Sequence, residues 1–364
     1  FHACREELQR QKRLEPYLFH RRNLANTAVV WNRDNIFWGW DDDPVQEVDY
    51  PFYGMIRALI RGRIGYFPLH INQIREQKKR IRLLILSGMQ SASDEQVEQI
   101  MEYIREGGSV LLSGTPCILD ELGNRRPHSP ILDMLGLHPV QEPLPTRMSS
   151  SPARHNYMRF AETRHPILKG FEDTNILGLH GTVQNMRADF LSPVAYLVPE
   201  FPTYPPETAY MPDDAKISDI PVLFAGDTGF GGRAVYLASD IDRCYRESAH
   251  PDFGKLLVNA IDWGLSGKRP FFVEGSGELD CILYEQKERL ILSIVNYSGL
   301  NRWPDPVEEY YEAGAQRVTV LIGNRDIHSV VLADSGERLP FQRTEDSIRF
   351  TVPKILKQEL ILLE

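Results

Sequence analysis

Hydrophobic positions in the first two thirds of the chain alternate between short solid runs and helical stripes. Thr27–Trp31 (TAVVW), Ile81–Leu86 (IRLLIL) and Ser109–Ser113 (SVLLS) are nearly continuous apolar runs, the pattern of strands covered on both faces. Ile64–Leu69 reads as a further strand. After Asp49 and Pro51, a helix start, Tyr53, Ile56, Leu59 and Ile60 recur at helical spacing. Gln73–Arg80 reads as a polar helix whose charged face is wet. Ser93 with Gln96 makes a capping box, Val97, Ile100, Met101 and Ile104 form the buried stripe behind it, and Gly107-Gly108 ends the helix. Strand and helix alternate with short joints over about 90 residues, which predicts an α/β domain built on a parallel sheet.

Two Pro-rich stretches, 139–156 and 199–216, interrupt the pattern and read as excursions. Between and after them Pro221–Ala225 and Ala234–Ala238 read as strands around a Gly-rich turn, and Phe253, Leu256, Leu257, Ala260, Ile261 and Leu265 mark a last amphipathic helix. At Pro270 the period changes. Leu290–Val295, Val318–Ile322, Ser329–Leu332, Ser347–Val352 and Glu359–Leu363 are short alternating runs separated by turns, which predicts a small antiparallel β-sandwich. The expected organisation is a connector helix over 1–24, an α/β domain over 25–266 and a β-sandwich over 270–364. Residues Ala3–Arg21, highly charged and interrupted by Pro16, read as an exposed lead-in helix.

Composition narrows the function classes. The 364 residues are 42% hydrophobic and 25% charged, enough apolar material for sizeable cores and too much for disorder. A formal charge of -9 argues against a nucleic-acid binder that works by neutralising phosphates. No apolar run approaches the ~20 residues of a membrane span. Cys4, Cys117, Cys244 and Cys281 lie far apart with no CxxC pair, so no zinc knuckle or dithiol motif is available, and a reducing cytoplasm is the expected setting. No cofactor or metal is expected.

Several catalytic arrangements are absent: no GxSxG elbow, no HExxH, no Walker loop, no EF-hand loop. Gly229-Phe230-Gly231 with Ala234 fits a loose dinucleotide fingerprint, but Arg233–Leu237 reads as a strand where that fingerprint needs a helix, so a tight hairpin is expected. Cys117 follows a strand, yet no histidine is followed by Glu at plus two, and Pro116 displaces the thiol from the strand-end turn. A buried or half-buried structural thiol is expected.

The loop Asn32–Val48 is the most informative stretch. It carries Phe37, Trp38, Trp40, Asp41, Asp42 and Asp43 directly after the first strand. Ligands of open α/β sheets sit at the carboxyl ends of strands. Indole faces stack on sugar rings, and carboxylates accept bonds from hydroxyls. Trp38, Trp40, Asp41 and Asp42 are therefore candidate sugar contacts; packing under the loop, a subunit interface, and metal binding by the acids are the other readings. The stretch Asp240-Ile241-Asp242-Arg243, with His250 and Asp252 beyond, also follows a strand and could face the same crevice, with Asp240 and Arg243 as candidate contacts, or be a solvated helix-capping loop.

The order of these features resembles a known family. The aromatic acidic loop is followed by Tyr53-Gly54-x-x-Arg57-Ala58-Leu59, then LLIL, Ser93-Asp94-Glu95-Gln96-Val97, and Tyr103-Ile104-Arg105-Glu106-Gly107-Gly108-Ser109-Val110. Gly232-Arg233-Ala234-Val235-Tyr236-Leu237, Asp240, Asp242, Tyr245 and Leu256-Leu257-x-Asn259-Ala260-Ile261-x-Trp263 come later. Over residues 25–265 the chain resembles the β-galactosidase trimerisation domain, a flavodoxin-like, class I amidotransferase-like fold of glycoside hydrolases. The tail resembles the β-sandwich that follows it in such enzymes. The resemblance implies self-association as a trimer or dimer, carbohydrate as ligand, and an upstream (β/α)8 barrel holding both catalytic carboxylates. No room for a barrel of about 250 residues exists before Thr27, so the catalytic pair is expected on a segment missing from this chain. The resulting reading is a non-catalytic oligomerisation and cleft-walling portion of a glycoside hydrolase. Its rival is a divergent amidotransferase-like hydrolase.

Overall fold

The computed structural model describes residues 2–41, 43–146, 154–161, 165–179, 181–202, 207, 218–299 and 309–364. The chain divides into two compact units, one of residues 27–58 and 68–268, the other of residues 1–26, 59–67 and 269–364.

The first unit is built on a nine-stranded sheet in the order Tyr66–His70, Thr27–Trp31, Leu83–Leu86, Ser109–Ser113, Arg233–Leu237, Pro221–Asp227, Ser192–Pro202, Arg154–Phe160, Ile176–Leu179. The strands from Thr27–Trp31 to Arg233–Leu237 pair in parallel, with Leu84 opposite Val110 and Val110 opposite Ala234. All four residues of Leu83–Leu86 are fully buried, as a strand covered on both faces must be. The other half departs from the expected parallel sheet. From Pro221–Asp227 to Ile176–Leu179 every pairing is antiparallel, so the sheet is mixed. The reversal begins at the Gly-rich turn. Gly229 and Gly231 adopt left-handed φ of 80° and 93°, and the Thr228 N–H donates to the Gly232 carbonyl at 2.9 Å, closing the chain into a hairpin rather than a phosphate cradle. Parts of the two Pro-rich stretches, including 147–153 and 208–216, lie outside the described residues.

Helices Tyr50–Arg61, Asp94–Arg105, Ile241–Ser248 and Pro251–Gly264 complete this unit up to its boundary. The capping box forms as expected: Ser93 Oγ accepts from the Gln96 N–H at 3.3 Å and Gln96 Oε1 accepts from the Ser93 N–H at 2.9 Å. Two local expectations are corrected. Asn32–Val48 is not an open loop. Asn32 caps a short helix, Arg33–Trp38, by accepting from the Asp34 N–H, and a wide helical turn, Val45–Asp49, leads into Tyr50–Arg61. That helix buries Gly54, Met55, Ala58 and Leu59, whereas Tyr53 is exposed.

In the second unit every element between Phe271 and Leu363 is a strand among the described residues. One antiparallel sheet runs Arg22–Asn23, Leu279–Gln286, Arg289–Asn296, Gln358–Leu363, Val330–Leu332; the other runs Phe271–Glu274, Gln316–Leu321, Ser347–Val352, Phe341–Arg343. Inward residues of both, among them Leu283, Leu292, Ile361, Val320 and Phe350, share one buried cluster. The lead-in helix His2–Leu14 is not simply exposed. Leu14 is buried against Ile291, Leu360 and Leu362, and Arg10 Nε donates to Asp334 Oδ2 at 2.8 Å. No helix among the described residues is long and apolar enough to cross a membrane.

Candidate functional site

The carboxyl ends of the four parallel strands share one edge of the sheet, and the segments leaving it carry the candidate chemistry. Arg33–Trp38 follows Thr27–Trp31, residues 87–91 follow Leu83–Leu86, residues 114–117 follow Ser109–Ser113, and residues 239–243 follow Arg233–Leu237.

The aromatic segment is fixed from below and open above. Asn35, only 3% exposed, donates from Nδ2 to the Gly88 carbonyl, and its Oδ1 accepts from the Gln90 and Ser91 N–H groups. Asn32 Nδ2 donates to the Ser91 carbonyl at 2.9 Å, and Gln90 Nε2 to the Gly39 carbonyl at 3.0 Å. On the outer side Ile36, Phe37, Trp38 and Trp40 are exposed, Trp38 at 48% and Trp40 at 37%. Trp40 Nε1 donates to the Ile36 carbonyl at 3.3 Å, which orients its ring. Leaving such apolar surface in water costs ~25 cal/mol per Å². Asp41 is exposed, and its N–H donates to Glu47 Oε2 at 3.1 Å. Asp42 lies outside the described residues.

Asp240 and Arg243 meet each other. Arg243 Nε donates to Asp240 Oδ2 at 2.7 Å, Nη1 to Glu247 Oε2 at 2.8 Å, and Nη1 also to Gln46 Oε1 at 3.3 Å. That last bond ties the pair to the segment that follows Trp40. Arg243 is 8% exposed, so most of its guanidinium is spoken for within the protein. Burial pushes the Asp240 carboxyl up, and the Arg243 charge pulls it back down.

Sequence reasoning placed Asp242 in the stretch after the strand but gave it no role of its own, and it passed over Asn35 and Ser113. Asp242 is fully buried and accepts at Oδ2 from the hydroxyls of Ser87 and Ser113, the latter at 2.6 Å. Burial raises its pKa, opposed by the two hydroxyls. Asn35 and Ser113 carried no periodicity that could have flagged them.

Cys117 is fully buried, and burial pushes its thiol up to about 12, leaving it un-ionised at neutral pH. In the segment after the strand both Gly114, φ 66°, and Cys117 itself, φ 56°, adopt left-handed backbone, and it is the burial of Cys117 that keeps its thiol from reacting. Among the described residues no group of three or more His, Cys, Asp or Glu could hold a metal ion.

No protein-family model matches the chain, and no curated protein matches it. Solved structures do. The chain is similar to an α-L-fucosidase isoenzyme 2 from Paenibacillus thiaminolyticus, with a TM-score of 0.70 at 17% identity over 97% of this chain and 50% of that one. It is similar to a β-galactosidase from Bacillus circulans sp. alkalophilus, with a TM-score of 0.69 at 13% identity over 100% of this chain and 45% of that one. A catalytic mutant of a GH42 β-galactosidase from G. stearothermophilus matches with a TM-score of 0.63 at 14% identity over 97% of this chain and 42% of that one. At these identities the likeness is one of fold, and it is a fold found in glycoside hydrolases. The chain spans half or less of the length of these enzymes.

Proposed function

We propose that this chain is the non-catalytic, cleft-walling and self-associating portion of a β-galactosidase-like glycoside hydrolase. In this reading residues 25–266 form the trimerisation-type, amidotransferase-like domain, residues 270–364 form a β-sandwich, and residues 1–24 are the connector. A (β/α)8 barrel outside these residues carries the catalytic carboxylates.

The observation that carries the reading is the exposed pair Trp38 and Trp40, with Asp41 beside them, at the carboxyl edge of the sheet. Two indoles held out by a buried polar network offer stacking faces for a sugar ring, and Asp41 and Asp42 offer acceptors for its hydroxyls. Asp240 stands on the same edge and completes the proposed contact set, with Arg243, its guanidinium mostly engaged within the protein, holding it in place. The fold likeness supports the assignment, because almost all of this chain matches about half of each enzyme. The same exposed aromatic surface suits self-association as a trimer or dimer, since aromatics are enriched in interface cores. The rival, an amidotransferase-like hydrolase, needs an accessible thiolate, and the burial of Cys117 weighs against it.

The test is turnover of a nitrophenyl β-galactoside by the pure chain, with light scattering on the same sample. The expected result is no turnover and a mass above that of the monomer. Robust turnover abolished by replacing a carboxylate within this chain overturns the reading, and a monomeric mass at micromolar concentration removes its self-association part.

A further inference from the structure

We propose that Asp242 is a positioning residue for the aromatic segment 33–41, holding the indoles of Trp38 and Trp40 in place through Ser113, Gly88 and Asn35. The proposal rests on the reading of those indoles as sugar-facing.

The links run in one direction. Asp242 Oδ2 accepts from the Ser113 hydroxyl at 2.6 Å. The same Ser113 oxygen accepts from the Gly88 N–H at 3.0 Å. The Gly88 carbonyl accepts from Asn35 Nδ2 at 2.9 Å, and Asn35 sits in the helix that carries Trp38. The Ser113 hydroxyl donates to the carboxylate and accepts from the Gly88 N–H, so these two bonds strengthen one another. Gly88 has φ 59°, a left-handed turn that aims the N–H of the peptide before it at Ser113 and the carbonyl of the peptide after it at Asn35.

Two further contacts bring the 240–243 turn against the same segment. Arg243 Nη1 donates to Gln46 Oε1 beyond Trp40. At Gly54, in the helix that follows, an added Cβ would lie 1.8 Å from the Asp242 carbonyl oxygen, so that helix rests directly on this turn. A buried carboxylate is costly unless its acceptors are filled. Asp242 fills them with hydroxyls and an amide from three elements, the ends of two parallel strands and its own helix.

The test is hydrogen exchange by mass spectrometry over residues 33–41, read beside a galactose titration followed by tryptophan fluorescence. Asp242→Asn and Ser113→Ala are each expected to speed exchange across 33–41 and to weaken the galactose response. The double variant should go no further than the larger single effect, because both act through one relay. Thr228→Val removes a buried hydroxyl at the opposite edge of the sheet and should leave 33–41 unchanged. Unaltered exchange over 33–41 in Ser113→Ala, fully additive effects, or an equal effect from Thr228→Val overturns the relay. Should Asp242→Asn not fold, the contrast between Ser113→Ala and Thr228→Val decides. A wild-type protein that ignores galactose defeats the sugar-facing reading instead, and the exchange contrast still reports on the relay.

Discussion

Asn35 donates from Nδ2 to the Gly88 carbonyl at 2.9 Å, so the helix that carries Trp38 hangs from the carboxyl end of the neighbouring strand. The same side chain accepts two backbone N–H groups, from Gln90 at 2.7 Å and Ser91 at 2.9 Å. Replacing it strands three backbone groups at once, two of them in buried bonds. Asn35→Ala is expected to destabilise the protein by about 2–3 kcal/mol, less than the sum of three bonds because water reaches part of the gap. Denaturant unfolding measures it, and a loss within ±0.5 kcal/mol, the range of surface substitutions, would show that the network holds nothing.

Thiol reactivity separates the structural from the catalytic reading of Cys117. Cys4 is exposed, and Cys117, Cys244 and Cys281 are buried. With iodoacetamide at neutral pH the native chain should label at Cys4 alone, the other thiols reacting only after unfolding. Rapid, selective alkylation of Cys117 in the native state would revive the hydrolase reading.

Asp280 gives the second unit a pH dependence. Burial pushes its carboxyl up from 3.8 to about 6, Oδ1 has no hydrogen-bond partner among the described residues, and the phenols of Tyr66, Tyr284 and Tyr297 lie close enough to feel its charge. The fold favours the protonated acid. Its contribution is therefore whole below pH 3.8 and is lost as the pH rises through about 6. The loss amounts to about 2–3 kcal/mol at neutral pH. Asp280→Asn should abolish it, so the gain in stability over the wild type should be large at pH 7 and vanish near pH 4. A difference that is flat with pH would refute the assignment.

Much of the fold was legible because local signals agreed with tertiary ones. The solid run Leu83–Leu86 became a fully buried strand, and Ser93 with Gln96 capped the helix they announced. The antiparallel half of the sheet was not legible. Parallel and antiparallel strands differ in their partners rather than in their residues, and only the turn at Gly229 and Gly231 hinted at the reversal. The helix Arg33–Trp38 hid because Ile36, Phe37 and Trp38 are exposed, so no buried stripe marks its period. The lead-in helix read as exposed from its charge, since the Arg10–Asp334 pair that docks it joins residues 324 apart. At the candidate site the indoles were visible as a composition anomaly. The roles of Asp242, Ser113 and Asn35 were not, because hydrogen bonds between a strand end and two helices distant in the chain leave no pattern in it.

Galactose titration followed by tryptophan fluorescence tests the central claim most directly, with the wild type set against Trp38→Ala and Trp40→Ala. The account predicts a saturable change in the wild type that is lost or strongly reduced in at least one variant, with the far-ultraviolet circular dichroism of all three proteins alike. A wild type that gives no change, or variants that respond as the wild type does, would contradict it and leave the aromatic segment a packing surface only.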